Sequence, residues 1–223
     1  MKQFQIDFFN GHPIITEGEN RILIDTGAPS TIHQTDQIRF CGDSYGCVVN
    51  YMGLTISSIS DLLGTEITTL LGADVLSEYK ILFDYANEVV TFSKDDIAFT
   101  GKQVEISNFM GIPILQMSAH SQELKFFLDT GARLSYVTND ITKDYASIGT
   151  EVDFYPGVGQ FETDCFEVPV VFDANSLVIK FGNLPELLQM TLMLSGTQGI
   201  VGYDFFSRYQ VLLDIQNGRL IYV

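Results

Sequence analysis

Two aspartates occur in the same local pattern in the two halves of the sequence. Each follows a short apolar run and precedes a threonine, a glycine and an alanine, in the segments 22–28 and 126–132. Two carboxyl groups within hydrogen-bonding reach share one proton, because both ionise only at a high energetic cost. Such a pair can take a proton from water while donating another to a carbonyl oxygen. The pattern therefore predicts that Asp25 and Asp129 meet and act together as general base and general acid.

The matching segments around the two aspartates are part of a longer repeat. Three blocks recur in the same order: residues 3–15 match 103–115, residues 22–30 match 126–135, and residues 70–92 match 200–223. A repeated order with loops of different length indicates an internal duplication. Two copies of one unit usually pack about a pseudo-twofold axis, where equivalent loops can meet. The join is predicted in the polar stretch 93–102, which gives units at 1–98 and 99–223.

Within each unit the sequence is typical of β structure. Apolar runs of four to eight residues alternate with glycine, asparagine and aspartate turns. Residues 88–92 and 219–223 are predicted to be the second arms of hairpins. Short helices are predicted only at 73–79, 184–190 and 203–209. The expected fold is all-β (mainly β), in two similar halves.

Composition limits the classes of partner. The chain has 223 residues, a net charge of −16 and no basic stripe, so neither nucleic acid nor an anionic membrane is an expected partner. The first residues contain no apolar core of a signal peptide, and a cytoplasmic location is expected. The three histidines do not lie at ligand spacing from a cysteine, so neither a metal nor another cofactor is predicted. Cys41 and Cys47 could bridge across a hairpin, but two buried thiols are the preferred interpretation.

The repeated motifs resemble the aspartic protease clan of pepsin-like and retroviral-type (retropepsin) enzymes. The resemblance covers nearly the whole chain, which looks like a retropepsin dimer fused into one polypeptide. It implies an acid-protease fold with two closed-barrel or sandwich lobes, and an endopeptidase that hydrolyses peptide bonds through a water between the two aspartates. By the same resemblance, Thr26 and Thr130 hydrogen-bond across the pair, supported by Gly27 and Gly131. The segments 70–72 and 200–202 would thread behind the catalytic loops.

The family also implies a hairpin flap over the site. Candidate flap tyrosines are Tyr45 and Tyr51 in the interval 38–53, and Tyr155 in the longer interval 153–172, where Pro156 and Gly157 predict a turn. Arg133 follows the second motif directly. It either pairs with Asp129 and holds that group ionised, or points to solvent or to the interface between the halves.

Structural and non-catalytic interpretations stand beside the catalytic one. Four further acids are assigned to helix caps and strand ends: Asp74, Asp84, Asp204 and Asp214. A non-catalytic peptide-binding or scaffold module that keeps the fold is one alternative function, and a protease dedicated to one client protein is another. Because both motif acids are present, an endopeptidase that acts as a monomer on peptides or flexible protein segments is preferred.

The residue after each motif glycine affects the pH range in which activity is expected. Alanine stands there in both halves, where pepsins commonly carry serine or threonine. The missing hydroxyl donor should raise the affinity of the pair for protons. Activity is therefore expected at milder pH than that of pepsin.

Overall fold

The computed structural model describes residues 1–155 and 159–223. The turn predicted at Pro156 and Gly157 lies outside the described residues. The mainly β fold expected from the sequence is confirmed. The strands are β1 Lys2–Gln5, β2 Asp7–Phe9, β3 His12–Glu17, β4 Asn20–Ile24, β5 Ile32–His33, β6 Gln37–Phe40, β7 Asp43–Gly46, β8 Thr69–Leu71, β9 Lys80–Asp84, β10 Val89–Ser93, β11 Lys102–Glu105, β12 Ser107–Phe109, β13 Ile112–Ala119, β14 Gln122–Leu128, β15 Ser135–Val137, β16 Gly149–Tyr155, β17 Gly159–Phe172, β18 Asn175–Asn183, β19 Gly199–Val201, β20 Val211–Asp214 and β21 Arg219–Tyr222.

The helices are short and sit between these strands. They are α1 Ile56–Leu63, α2 Ala73–Leu76, α3 Asn139–Thr142, α4 Glu186–Ser195 and α5 Tyr203–Phe206, with a 3₁₀ turn at Tyr85–Asn87. Among the described residues, no helix has the length and apolar character needed to cross a membrane.

Three large sheets organise the strands. A five-stranded sheet in the order β2-β3-β4-β8-β5 belongs to the first half, and an eight-stranded sheet in the order β12-β13-β14-β19-β15-β18-β17-β16 belongs to the second. The third sheet, in the order β1-β10-β9-β20-β21-β11, takes three strands from each half. Its centre is the antiparallel pair β9–β20, so the two halves are joined by backbone hydrogen bonds as well as by side chains. The predicted hairpins are confirmed as β9–β10 and β20–β21.

The strands that precede the motif aspartates are each held by a threaded strand. Strand β8 lies between β4, to which it is parallel, and β5, to which it is antiparallel. Strand β19 lies in the same way between β14 and β15. These strands are short apolar runs buried on both faces, as strands inside a covered sheet usually are. The backbone N–H of Asp25 donates to Leu71 O at 3.0 Å, and that of Asp129 donates to Val201 O at 2.9 Å. Both aspartates therefore leave their strands at fixed positions.

The helix predictions were right for three elements and missed two. Helices α2, α4 and α5 lie in the predicted segments, although α4 continues to Ser195. Helix α1 was not predicted. Its N-cap Thr55 accepts from the backbone N–H of Ser58 and forms a capping box, and Ile56, Ile59 and Leu63 are buried on one face. Both signals are present in the sequence.

Two apolar clusters flank the region where the motif loops meet. The first-half cluster includes Ile14, Leu23 and Leu63 and has Phe154 packed against it. The second-half cluster includes Ile112, Ala73, Phe127 and Leu192 and has Tyr155 packed against it. Strand β16 of the second half therefore contacts both clusters. Cys41 and Cys47 are free thiols as predicted, but both are half-buried, which corrects the prediction that they are buried.

Candidate active site

The structure brings Asp25 and Asp129 together at the junction of the two halves. Asp25 follows β4 and Asp129 follows β14, and both residues are half-buried. A Cβ atom placed on Gly131 would lie 2.5 Å from the carboxyl carbon of Asp25, and one on Gly27 would overlap the carboxyl group of Asp129. Each carboxyl group thus lies against the backbone of the opposite loop, in space that only a glycine leaves free. Predicted Gly27 and Gly131 are therefore part of the arrangement.

Two buried threonines join the loops by crossed hydrogen bonds. The hydroxyl of Thr26 donates to Leu128 O at 2.7 Å and accepts from the backbone N–H of Thr130 at 2.9 Å. The hydroxyl of Thr130 donates to Ile24 O at 2.8 Å and accepts from the backbone N–H of Thr26 at 3.0 Å. Neither threonine is accessible to solvent. Each threonine hydroxyl therefore provides the hydrogen-bond partners for a buried N–H and a buried C=O of the other half. The crossed bonds fix the positions of the two motif loops, and of their acids, relative to each other.

Backbone donors orient each carboxylate within its own loop. Asp25 Oδ1 accepts from the N–H groups of Gly27 at 3.0 Å and Ala28 at 2.9 Å. Asp129 Oδ1 accepts from the N–H of Gly131 at 2.8 Å. These bonds fix the orientation of each carboxyl group within its loop.

The surroundings of the pair favour a shared proton. Burial, then the negative charge of Asp129 and a hydrogen bond with it, raise the pKa of Asp25 well above its usual range. Burial also raises the pKa of Asp129, while the hydrogen bond from Asp25 and backbone N–H groups act in the opposite direction. The pair therefore retains a proton in a pH range where an isolated carboxyl group has lost it.

Arg133 does not pair with Asp129. Its guanidinium donates from Nη1 to Glu151 Oε2 at 3.0 Å and from Nη2 to Val152 O at 2.8 Å, both in strand β16. Of the two predicted alternatives, the structure supports the one that leaves Asp129 free of a cation. Arg133 instead links the second motif loop to the hairpin above it.

Strand β16 carries two aromatic side chains that pack on the clusters flanking the motif loops. Burial raises the pKa of Tyr155 to about 12, with further contributions from the charges of Asp129, Asp25 and the neighbouring Tyr51. The preceding residue Phe154 points to the other cluster, with its ring centroid 6.2 Å from that of His12. Since successive residues of a strand face opposite sides, β16 presents one aromatic ring to each half of the site.

Tyr45 lies elsewhere, which corrects its assignment as a candidate flap tyrosine. Its hydroxyl shares a hydrogen bond of 2.6 Å with the hydroxyl of Tyr79. The turn of its hairpin β6–β7 is fixed by Cys41, whose backbone N–H donates to Glu17 Oε2 at 3.0 Å. Glu17, in β3, pairs with Asn20, the first residue of β4, whereas Asp25 follows the last residue of β4. Asp25 is five residues from Asn20, so at about 3.3 Å per residue the two lie roughly 17 Å apart.

The four acids that were assigned structural roles form hydrogen bonds or ion pairs with nearby residues. Asp74 accepts from the N–H and hydroxyl of Thr31, and Asp84 accepts from the N–H of Asn87. Asp204 pairs with Arg208, and Asp214 pairs with Arg219. Each therefore has partners that account for its position.

His12 is a residue of the site that the sequence analysis missed. It is buried, and its Nδ1 lies 2.9 Å from Gly131 O in the second motif loop. Burial lowers the pKa of its imidazole. The neutral ring therefore donates from Nδ1 to this carbonyl and keeps Nε2 as an acceptor. The sequence did contain a signal for His12: the repeat matches it with Ile112, so a polar residue replaces an apolar one at equivalent positions.

A cavity of about 660 Å³ adjoins the second motif loop. Its walls include His12, Leu63, Arg133, Phe154 and Tyr203. His12 contacts the loop that carries Asp129, and Phe154 belongs to β16, so the cavity lies between that loop and strand β16.

Comparison with known proteins gives only distant similarities. No protein-family model matches the sequence, and no curated protein matches it. The protease of simian foamy virus (mac) aligns in structure with 14% identity and a TM-score of 0.31, over 41% of this chain and 88% of that protein. A retropepsin-like aspartic protease from Rickettsia conorii aligns with 16% identity and a TM-score of 0.38, over 56% of this chain and 95% of that protein. Similarities this distant do not establish a family or an activity.

Proposed function

We propose that this chain is an aspartic endopeptidase that hydrolyses peptide bonds with a water molecule activated between Asp25 and Asp129. The observation that carries the proposal is the crossed hydrogen bonding of Thr26 and Thr130, which holds two half-buried carboxyl groups face to face. Two acids so placed are costly for folding, because burial and mutual repulsion oppose their ionisation. A catalytic use accounts for an arrangement that stability alone does not favour.

The chemistry requires only the two acids, water and the substrate. The ionised carboxylate removes a proton from the water as its oxygen attacks the peptide carbonyl carbon. The protonated carboxyl donates its proton to the carbonyl oxygen, which gives a neutral tetrahedral diol. When the diol collapses, its C–N bond breaks, one acid supplies a proton to the departing nitrogen and the other takes a proton from a hydroxyl group. One water is consumed, and the pair returns to its singly protonated state.

The remaining parts of the site support this chemistry. In this proposal residues 1–98 and 99–223 act as two lobes, each of which supplies one acid, so a single chain is sufficient. We infer that the β16–β17 hairpin acts as the cover of the site, with Tyr155 toward the acids, and limits access of bulk water. A substrate is expected to lie in the cleft as an extended strand, since such a segment can form backbone hydrogen bonds with the hairpin.

Cleavage of a diverse peptide pool between pH 3 and pH 8, followed by mass spectrometry, tests the proposal. The wild type should produce cuts that disappear in Asp25→Asn and Asp129→Asn and in the presence of a statine-type transition-state mimic. Asp140→Asn is the matched control, because Asp140 is an exposed acid at the start of α3. Cuts that persist in either motif variant would refute the proposal. Absence of cuts from folded wild-type protein would instead favour the binding module or the single-client protease.

A further inference from the structure

The backbone supports of the two motif loops match, with one exception. Each acid is held by a threaded strand, and each motif threonine bonds to the opposite loop. The N–H of Ala73 donates to Ala28 O at 2.7 Å, and at the equivalent place the N–H of Tyr203 donates to Ala132 O at 2.9 Å. The exception is the carbonyl group of the motif glycine, which is held in only one of the two loops.

The carbonyl of Gly131 is held by a side chain from the first half. His12 Nδ1 lies 2.9 Å from Gly131 O, and the imidazole is the donor because a carbonyl oxygen only accepts. The internal repeat matches His12 with Ile112, whose side chain has no donor. Within residues 1–155 and 159–223, no hydrogen bond to Gly27 O is formed. The second motif loop therefore has a support that the first lacks.

Gly131 contacts both acids of the pair. Its N–H donates to Asp129 Oδ1 at 2.8 Å. On its other side, a Cβ atom at this position would lie 2.5 Å from the carboxyl carbon of Asp25. A shift of Gly131 would therefore change the bond to one acid and the contact with the other. Because glycine has the greatest backbone freedom of any residue, a bond to its carbonyl restricts such a shift.

His12 is itself held in a fixed place. It is the first residue of β3, which lies between β2 and β4 in the five-stranded sheet. Its side chain is 5% exposed, and a hydrogen bond shielded from water in this way is stronger than one in solvent. The imidazolium also carries a hydrogen on Nδ1, so the bond to Gly131 O persists if the ring is protonated.

We infer that His12 is a positioning residue for the acid pair: its bond to Gly131 O fixes the glycine that orients Asp129 and lies against Asp25. In this role His12 exchanges no proton with either acid, and it acts only by limiting movement of the second motif loop. The consequence for catalysis rests on the proposed function, whereas the position of the loop does not depend on cleavage.

Removal of the donor should lower turnover more than substrate binding. A misplacement of about 1 Å in a catalytic group can cost roughly 100-fold in rate. In His12→Leu, kcat for peptide cleavage should therefore fall about ten- to a hundredfold, with KM within about twofold of the wild type. His12→Asn has the same branched shape as the leucine variant but keeps a donor near the place of Nδ1, so its kcat should stay within about threefold. A loss confined to KM would overturn the inference.

His12→Gln is a second variant for the case that His12→Leu does not fold. It keeps an amide donor but displaces it by one methylene group. Its kcat should fall between those of the asparagine and leucine variants, and a kcat equal to that of His12→Asn would contradict the positional argument.

Amide hydrogen exchange measured by NMR tests the position of the loop without any substrate. In His12→Leu, the N–H of Gly131 should exchange about five- to tenfold faster than in the wild type, which corresponds to the loss of one hydrogen bond, while Gly27 N–H keeps its rate. His12→Asn should leave both rates within about twofold. If His12 only stabilised the fold as a whole, both amides would become faster together. Equal acceleration of the two amides, or an unchanged rate at Gly131, would overturn the inference.

His33→Leu is the matched control for the loss of a histidine hydrogen bond. His33 is half-buried in the same five-stranded sheet, and its Nδ1 lies 2.8 Å from Thr68 O. The control therefore removes the same type of bond without touching Gly131. It should leave kcat and the Gly131 exchange rate unchanged, and a loss of kcat equal to that in His12→Leu would count against a specific role of His12.

The two measurements separate this inference from the proposed function. Selective acceleration of Gly131 exchange in a protein whose wild type cleaves no peptide would support the positioning role and refute the proposed function. Wild-type cleavage with an unchanged kcat and an unchanged Gly131 exchange rate in His12→Leu would refute the positioning role and leave the proposed function intact.

Discussion

Removal of one threonine hydroxyl should destabilise the protein far more than removal of its methyl group. Thr26→Val keeps the shape of the side chain but deletes the acceptor for Thr130 N–H and the donor to Leu128 O. Both backbone groups remain buried without a partner. Each unpaired buried group costs about 1–3 kcal/mol, so the expected loss is about 2–6 kcal/mol. This is a large part of the ~5–15 kcal/mol that stabilises a typical domain.

Urea denaturation followed by circular dichroism measures this loss. With a denaturant dependence of about 3 kcal/mol/M, the midpoint of Thr26→Val should fall by roughly 1–2 M. Thr26→Ser is the matched control, because it keeps the hydroxyl and loses one buried methyl group, worth about 1 kcal/mol or a midpoint shift of about 0.3 M. Thr130→Val and Thr130→Ser should reproduce the two results, since the crossing is symmetric. Equal midpoints for the valine and serine variants would refute the claim that the hydroxyl groups hold the halves together.

Three further variants test other parts of the site. Burial and the neighbouring acid raise the pKa of Asp25, so its contribution to stability is present below about pH 4 and is lost as pH rises through the folded-state pKa. In thermal unfolding, Asp25→Asn should therefore be more stable than the wild type at pH 8 but not at pH 4. Asp140→Asn should show no such pH dependence. Tyr155→Phe should lower kcat/KM for peptide cleavage by about tenfold, the loss of one hydrogen bond from its hydroxyl to the bound substrate, and Tyr45→Phe should leave it unchanged, since Tyr45 lies away from the acids. Gly131→Ala should abolish cleavage, because its Cβ would lie 2.5 Å from the carboxyl carbon of Asp25; an active alanine variant would contradict the geometry.

The sequence predicted those parts of the molecule that depend on repeated local patterns. The duplicated motif predicted the positions of Asp25 and Asp129, and the apolar runs predicted the hairpins β9–β10 and β20–β21. Such features follow from apolar periodicity and turn residues within short segments. The proximity of the two aspartates was expected because two copies of a repeated unit usually pack with equivalent loops together.

Features that depend on contacts between distant segments were harder to predict. Tyr45 was assigned to the flap from its position between two glycines, but its partner Tyr79 is 34 residues away in sequence. The bond of His12 to Gly131 O crosses 119 residues, and no local pattern around His12 indicates it. Arg133 left two alternatives open until the position of Glu151 was known. In each case the deciding partner lies in another segment of the chain.

Single-turnover cleavage in ¹⁸O-labelled water tests the central claim most directly. If water activated between Asp25 and Asp129 attacks the peptide, the wild type should place one ¹⁸O atom in the new carboxyl group of the product and none in either aspartate. Asp25→Asn and Asp129→Asn should give no labelled product under the same conditions. Label in the side chain of either aspartate, or cleavage by either asparagine variant, would contradict the account.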